Sequence, residues 1–150
     1  METIGQKSIE SIEHLLGPPK TRGIDQVKGF NSEMHVFHIL SSAGYDVRME
    51  LPCDYDMTVH NLDGIHRIQV KTINKKSENH SGTINLNKTS MHSKGKFVVS
   101  RYNSMAFDFL AAVDQDTWDV YLIPSFHFTG ENGSMKSGLG LKQYHGYKIT

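Results

Sequence analysis

Cysteine is scarce in this chain, and neither sign of charge is in surplus. The single cysteine, Cys53, excludes a disulfide framework and a cysteine-based zinc site, so a reducing, intracellular (cytoplasmic) setting is expected. Lysine plus arginine and aspartate plus glutamate total 16 each, so net charge gives no argument for a nucleic-acid partner. No apolar run approaches membrane-spanning length, and the opening stretch Met1-Glu2-Thr3-Ile4-Gly5-Gln6-Lys7 lacks the apolar core of a signal peptide. No membrane partner is therefore expected. Internal repeats and low-complexity tracts are also missing. The 150 residues suffice for one domain with a real core and leave no room for a second.

The distribution of charge says more than its sum. Between Ile73 and Tyr102 the basic residues are Lys75, Lys76, Lys88, Lys94, Lys96 and Arg101, against the single acid Glu78. Such a local surplus fits either a phosphate footprint or a solvated basic loop.

Hydrophobic spacing divides the chain into elements. Thr3 to Leu16 reads as a short helix with Ile9, Ile12 and Leu16 on one face, ended by Gly17-Pro18-Pro19. A second helix is predicted from about Lys28 to Ala43, with Gly44 as its left-handed cap. Phe30, Met34, Val36, Phe37, Leu40 and Ala43 cover one broad arc of it, and Glu33 falls near the middle of that arc. A carboxylate so placed either engages a cation or sits at a rim with its head in water, because an unpaired buried charge is costly.

Strands are predicted at Tyr45–Leu51, Tyr55–His60, Arg67–Thr72 and Thr83–Asn87. Phe97–Ser100 and Phe109–Val113 are apolar enough for central strands, and Trp118–Pro124 pairs back on the latter as a hairpin. Leu62-Asp63-Gly64-Ile65 is a hairpin turn between the second and third of these strands. The Gly- and aromatic-rich stretch after Ser125 resists placement. A helix followed by several strands and then mixed elements indicates an α/β core with a mixed sheet.

The run Ile68-Gln69-Val70-Lys71 is chemically the most informative. Alternation puts Gln69 and Lys71 on one face and the two apolar residues on the other, and the hairpin brings Asp56 near them. An acid, an amide and a lysine gathered on a sheet are the parts of a metal-dependent phosphodiesterase site. His80, Asn87 and His92 could instead suggest a His-Asn-His site, but their Ser/Asn/Lys-rich surroundings lack the strand-helix frame it needs. His35 and His38 have metal-ligand spacing on the helix, a spacing that also suits an ordinary helix surface.

Taken in order, Lys28-Gly29…Glu33, Gly44-Tyr45-Asp46-Val47, Asp54-Tyr55-Asp56 and Ile68-Gln69-Val70-Lys71-Thr72 resemble the PD-(D/E)XK nuclease superfamily. The later Phe107–Val113 and Val120–Pro124 resemble its small branch of Holliday junction resolvases and group I intron homing endonucleases. The resemblance implies a restriction-endonuclease-like α/β core over residues 28–124, preceded by an N-terminal helix and arm (1–27) and followed by an extension (125–150). It implies a Mg²⁺-dependent, site-specific endonuclease that makes double-strand breaks in duplex DNA. A resolvase, or a non-catalytic DNA-binding module on a decayed nuclease fold, is the alternative.

The resemblance also assigns roles. Asp56 would be the metal ligand, with Asp54, two positions away on the same face, as the competing choice. Glu33 would join the cluster from the helix, and Lys71 would hold or deprotonate the attacking water. Gln69 departs from the usual Glu or Asp and offers only a neutral carbonyl oxygen, which predicts weaker divalent-metal binding and disfavours a second metal. Lys75, Lys76, Lys88, Lys94, Lys96 and Arg101 would hold phosphates, and Asn85 and Asn87 would read adenine edges unless they serve as turn residues. A double-strand break calls for at least two subunits, a dimer or a tetramer, with the N-terminal helix as the expected contact.

Overall fold

The computed structural model describes residues 13–18, 24–50, 54–75, 82–91, 97–102, 106–130, 132–136 and 138–150. Most of the expected N-terminal helix lies outside them; residues 13–16 are helical and Gly17 N–H caps the carbonyl of Glu13.

Helix α1 spans Ile24–Ser42, starting earlier than the predicted Lys28. It ends in a Schellman arrangement, with Gly44 at φ +98°, Gly44 N donating to Ser41 O and Tyr45 N to Leu40 O. Its buried seam is Ser32, Val36 and Leu40, one residue per turn. Phe30, expected within the buried arc, is 48% exposed, and Ala43 is exposed as well. The seam is narrower than the apolar arc and includes Ser32, which like Val36 has no exposure at all.

The central sheet has five strands in the order β1 (Asp46–Met49), β2 (Met57–Asn61), β3 (Gly64–Thr72), β7 (Phe109–Asp114) and β8 (Asp119–Pro124). Only β3 and β7 are parallel, so the sheet is mixed, as the sequence predicts. The β2–β3 turn is tight because Asn61 Oδ1 accepts from both Asp63 N (2.9 Å) and Gly64 N (3.0 Å), while Gly64 takes φ +137°.

Each face of the sheet carries its own core. Val59, Ile68, Val70, Ala111, Val113 and Val120 pack beneath α1 on one side. Leu110, Ala112, Tyr121 and Ile123 face the other side, where the remaining elements cover them. Those elements are β4 (Thr83–Asn85) paired with β9 (Gly138–Gly140), and the short helices Ser125–Phe128 and Leu141–Tyr147. Residues 125–150, which the sequence leaves unplaced, thus supply Phe128, Met135, Leu139, Leu141 and Tyr144 to the second core.

Two strand expectations need correcting. Thr83–Asn87 is not one strand: β4 ends at Asn85, and Asn87 begins β5 (Asn87–Met91), with Leu86 buried between them. Phe97–Ser100 is not central either. It lies in β6 (Phe97–Arg101), which pairs with β5 as a separate antiparallel ribbon. Apolarity alone cannot distinguish a central strand from the strand of a ribbon, because the pairing partner is set by chain topology.

Candidate active site

The site is built where β2 and β3 part. Their ladder runs from Asn61↔Gly64 to Met57↔Ile68, and Asp56, expected inside the strand, forms a bend just beyond it. Asp56 N still donates to Ile68 O (2.9 Å), but its side chain replaces the next strand partner, with Oδ2 accepting from Val70 N at 2.8 Å. The carboxylate therefore stands against the Gln69–Val70 peptide. The Gln69 and Lys71 side chains lie on the sheet face opposite the α1 core, as alternation requires, since Ile68 and Val70 belong to that core.

Glu33 arrives from the helix. Its neighbour Ser32 fixes the helix to the strand through a hydroxyl–hydroxyl bond to Thr72 Oγ1 (2.7 Å). Gln115 reinforces the seat, with Nε2 donating to Ser32 Oγ (2.9 Å) and to Lys28 O (2.7 Å). So placed, the Glu33 side chain hydrogen-bonds that of Asp56. A carboxyl in the helix arc, odd when seen from the helix alone, thus meets a second carboxyl.

The electrostatics follow from this crowding. Burial raises the Glu33 pKa from the ordinary 4.5 to about 7, helped by the charge of Asp56 and the hydrogen bond to it. Asp56 is also raised, because burial outweighs the Val70 N–H, the Lys71 charge and the Glu33 bond. The pair therefore shares a proton around neutral pH. Burial lowers the pKa of Lys71, while Asp56 pulls it back up.

Gln69 is 7% exposed, and among the described residues its Oε1 is buried without a hydrogen-bond partner. The two carboxyls and the orphaned Gln69 amide oxygen are all oxygen donors, the kind that suits a hard divalent cation such as Mg²⁺. No group of three His, Cys, Asp or Glu side chains exists among the described residues.

The other expected residues are distributed unevenly. Asp54 lies in a half-buried bend, and its charge acts with that of Asp56 on Tyr102. It is Asp56 that meets both Val70 N–H and Glu33. Asn85 is exposed, with Oδ1 accepting from Asn87 N (2.8 Å), the turn role weighed for it from sequence. Lys75 is tied to Asp114 (2.5 Å) and lies 3.7 Å from Asp116. Lys88 and Arg101 fall on the β5–β6 ribbon, opposite Ser100 and Asn87. Lys76, Lys94, Lys96, His80 and His92 lie outside the described residues. His35 is structural: its Nε2 pairs with Trp118 O (2.8 Å) and its ring stacks edge-on against the Trp118 indole.

Sequence reasoning missed Ser32, Thr72 and Gln115, which seat the helix, and Tyr102, whose ring lies under Lys71 Nζ. No local pattern marks them; only the long-range pairing of β3, β7 and α1 brings them together.

Comparison with known proteins bears on the fold and the family. The solved structure of a bacterial homing endonuclease, I-Ssp6803I, matches with a TM-score of 0.65 and 22% identity, covering 84% of this chain and 89% of that one. At that identity the likeness speaks for the fold. The crystal structure of MepB matches at a TM-score of 0.40 and 16% identity over 73% of this chain and 78% of that one, too distant to support an argument. No curated protein matches. The sequence model of the PD-(D/E)XK endonuclease family matches residues 25–140, a span containing Glu33, Asp56, Gln69 and Lys71, and the chain belongs to that family.

Proposed function

We propose that this nuclease is a Mg²⁺-dependent, site-specific DNA endonuclease of the homing type, making double-strand breaks in duplex DNA. One observation carries the reading: Asp56, paired with Glu33, is held by the backbone N–H of Val70, the residue between Gln69 and Lys71. Asp56, Glu33 and the Gln69 carbonyl oxygen would hold the ion, whose chemistry is to polarise the scissile phosphate and acidify a bound water. Lys71 would orient the attacking water and offset the negative charge on the phosphoryl oxygens as the water oxygen bonds to phosphorus and the sugar oxygen leaves. Its burial-lowered pKa brings it closer to the range in which it can accept the proton of that water.

DNA contact is assigned to the β5–β6 ribbon and its surroundings. Lys88 and Arg101 on the ribbon, with Lys76, Lys94 and Lys96, would meet phosphates, and Asn87 would face bases, while the Asn85 side-chain oxygen is taken up by the turn. Lys75 could contribute only by leaving Asp114. One site cuts one strand, so a double-strand break requires a homo-oligomer, a dimer or a tetramer.

The test incubates purified protein with a randomised duplex pool and with a four-way junction, in Mg²⁺ or EDTA, and sequences the ends. Discrete duplex ends in Mg²⁺ alone, lost in Lys71→Ala and Asp56→Ala with DNA binding retained, support the reading. Cleavage confined to the junction would identify a resolvase instead. If neither DNA is cut, the chain is a non-catalytic DNA-binding module.

A further inference from the structure

A lysine that handles a water beside a metal has to be held in one place, yet its four-carbon stem is among the most mobile of side chains. The Asp56 charge attracts the Lys71 ammonium. Lys71 Nζ also lies over the Tyr102 ring, 5.5 Å from its centroid. That distance is within the range in which the negative face of an aromatic ring attracts a cation.

The ring itself is a fixed platform. Tyr102 is 6% exposed, and its ring meets Phe107 edge-to-face with centroids 5.3 Å apart. Phe107 in turn packs on Phe128, with both side chains fully buried. The Tyr102 backbone is also held, its carbonyl accepting from Met135 N at 3.0 Å. A surface stacking partner would follow the lysine; this one stays put and makes the lysine follow it.

We propose that Tyr102 is a positioning residue of the nuclease site, using its ring face to hold Lys71 in line with the carboxyl pair. The inference rests on the endonuclease reading for its catalytic consequence, while the placement itself is tested without DNA or metal. The aromatic face does the holding, and the hydroxyl is dispensable for it.

The first arm is NMR of metal-free protein labelled with ¹³C at lysine Cε, with the Lys71 signal assigned by its loss in Lys71→Arg. A nuclear Overhauser contact between Lys71 Hε and the Tyr102 ring protons is expected in the native chain. An upfield ring-current shift of that signal should persist in Tyr102→Phe and vanish in Tyr102→Leu. Absence of the contact in the native chain overturns the proposal even if Tyr102→Leu does not fold.

The second arm measures cleavage on whichever DNA the native protein cuts. Tyr102→Leu should lower kcat about tenfold with KM unchanged, while Tyr102→Phe stays within about twofold, the scale of a partly desolvated cation–π contact. Equal losses in the Phe and Leu variants, or a loss confined to KM, would refute the positioning role. A native protein that cuts nothing would refute the endonuclease reading and leave the NMR contact to report separately on the geometry.

Discussion

Replacing Glu33 by glutamine should make the metal-free protein more stable at alkaline pH. The folded state holds Glu33 with a pKa of about 7 against an ordinary 4.5. A raised carboxyl pKa means that the folded chain binds more protons than the unfolded one between those values. The stability gained from that proton is complete below about pH 4.5 and is lost as pH rises through about 7. A rise of this size corresponds at full strength to about 3.4 kcal/mol. Glu33 is only half-buried, so screening by water reduces the figure to about 1–2 kcal/mol.

For a chain of this length that is a loss of roughly 3–6 °C in Tm on moving from pH 5 to pH 8.5 in EDTA. The amide introduced by E33Q cannot ionise but can still donate to the Asp56 carboxylate, so that variant should lose less over the same range. Mg²⁺ should restore the native protein at pH 8.5, by about 1.4 kcal/mol at ten times its dissociation constant, and restore E33Q less. Thermal melts of both proteins at several pH values, with EDTA or Mg²⁺, provide the measurement. Parallel Tm–pH curves for the two proteins would refute the shared proton.

Three further predictions concern neighbouring residues. Gln69→Glu supplies the charge that the family's usual acid would carry, so calorimetric Mg²⁺ affinity should rise about tenfold; an unchanged affinity would remove Gln69 from the ligand set. Lys75→Met strips the cation from the nearly buried Asp114 and should cost about 1–3 kcal/mol in urea unfolding, with little change in the salt dependence of DNA binding. A salt slope reduced by about one unit would instead mark Lys75 as a phosphate contact. Gly82→Ala places a methyl group against Ile73 Cγ2 at a φ of +100°, and should cost about 2–3 kcal/mol by the same assay.

The sequence by itself determined the pieces whose cause is local. Alternation along Ile68–Thr72 put Gln69 and Lys71 on one face, Leu62-Asp63-Gly64-Ile65 marked the β2–β3 turn, and Gly44 ended α1. Glu33 also announced itself, as a carboxylate in an apolar arc. What the sequence could not supply were relations between distant segments. The wide arc on α1 did not show that Ser32 would form the seam, because that depends on the hydroxyl of Thr72. The apolar run Phe97–Ser100 did not reveal that its partner is β5 rather than the central sheet. Tyr102 carried no periodic signal linking it to the distant Lys71; the contact exists because the second core fixes the ring beneath β3. Side-chain direction is set within a few residues of chain, and so it can be read from sequence. Tertiary packing decided which buried groups meet, and with that the shared proton of Glu33 and Asp56.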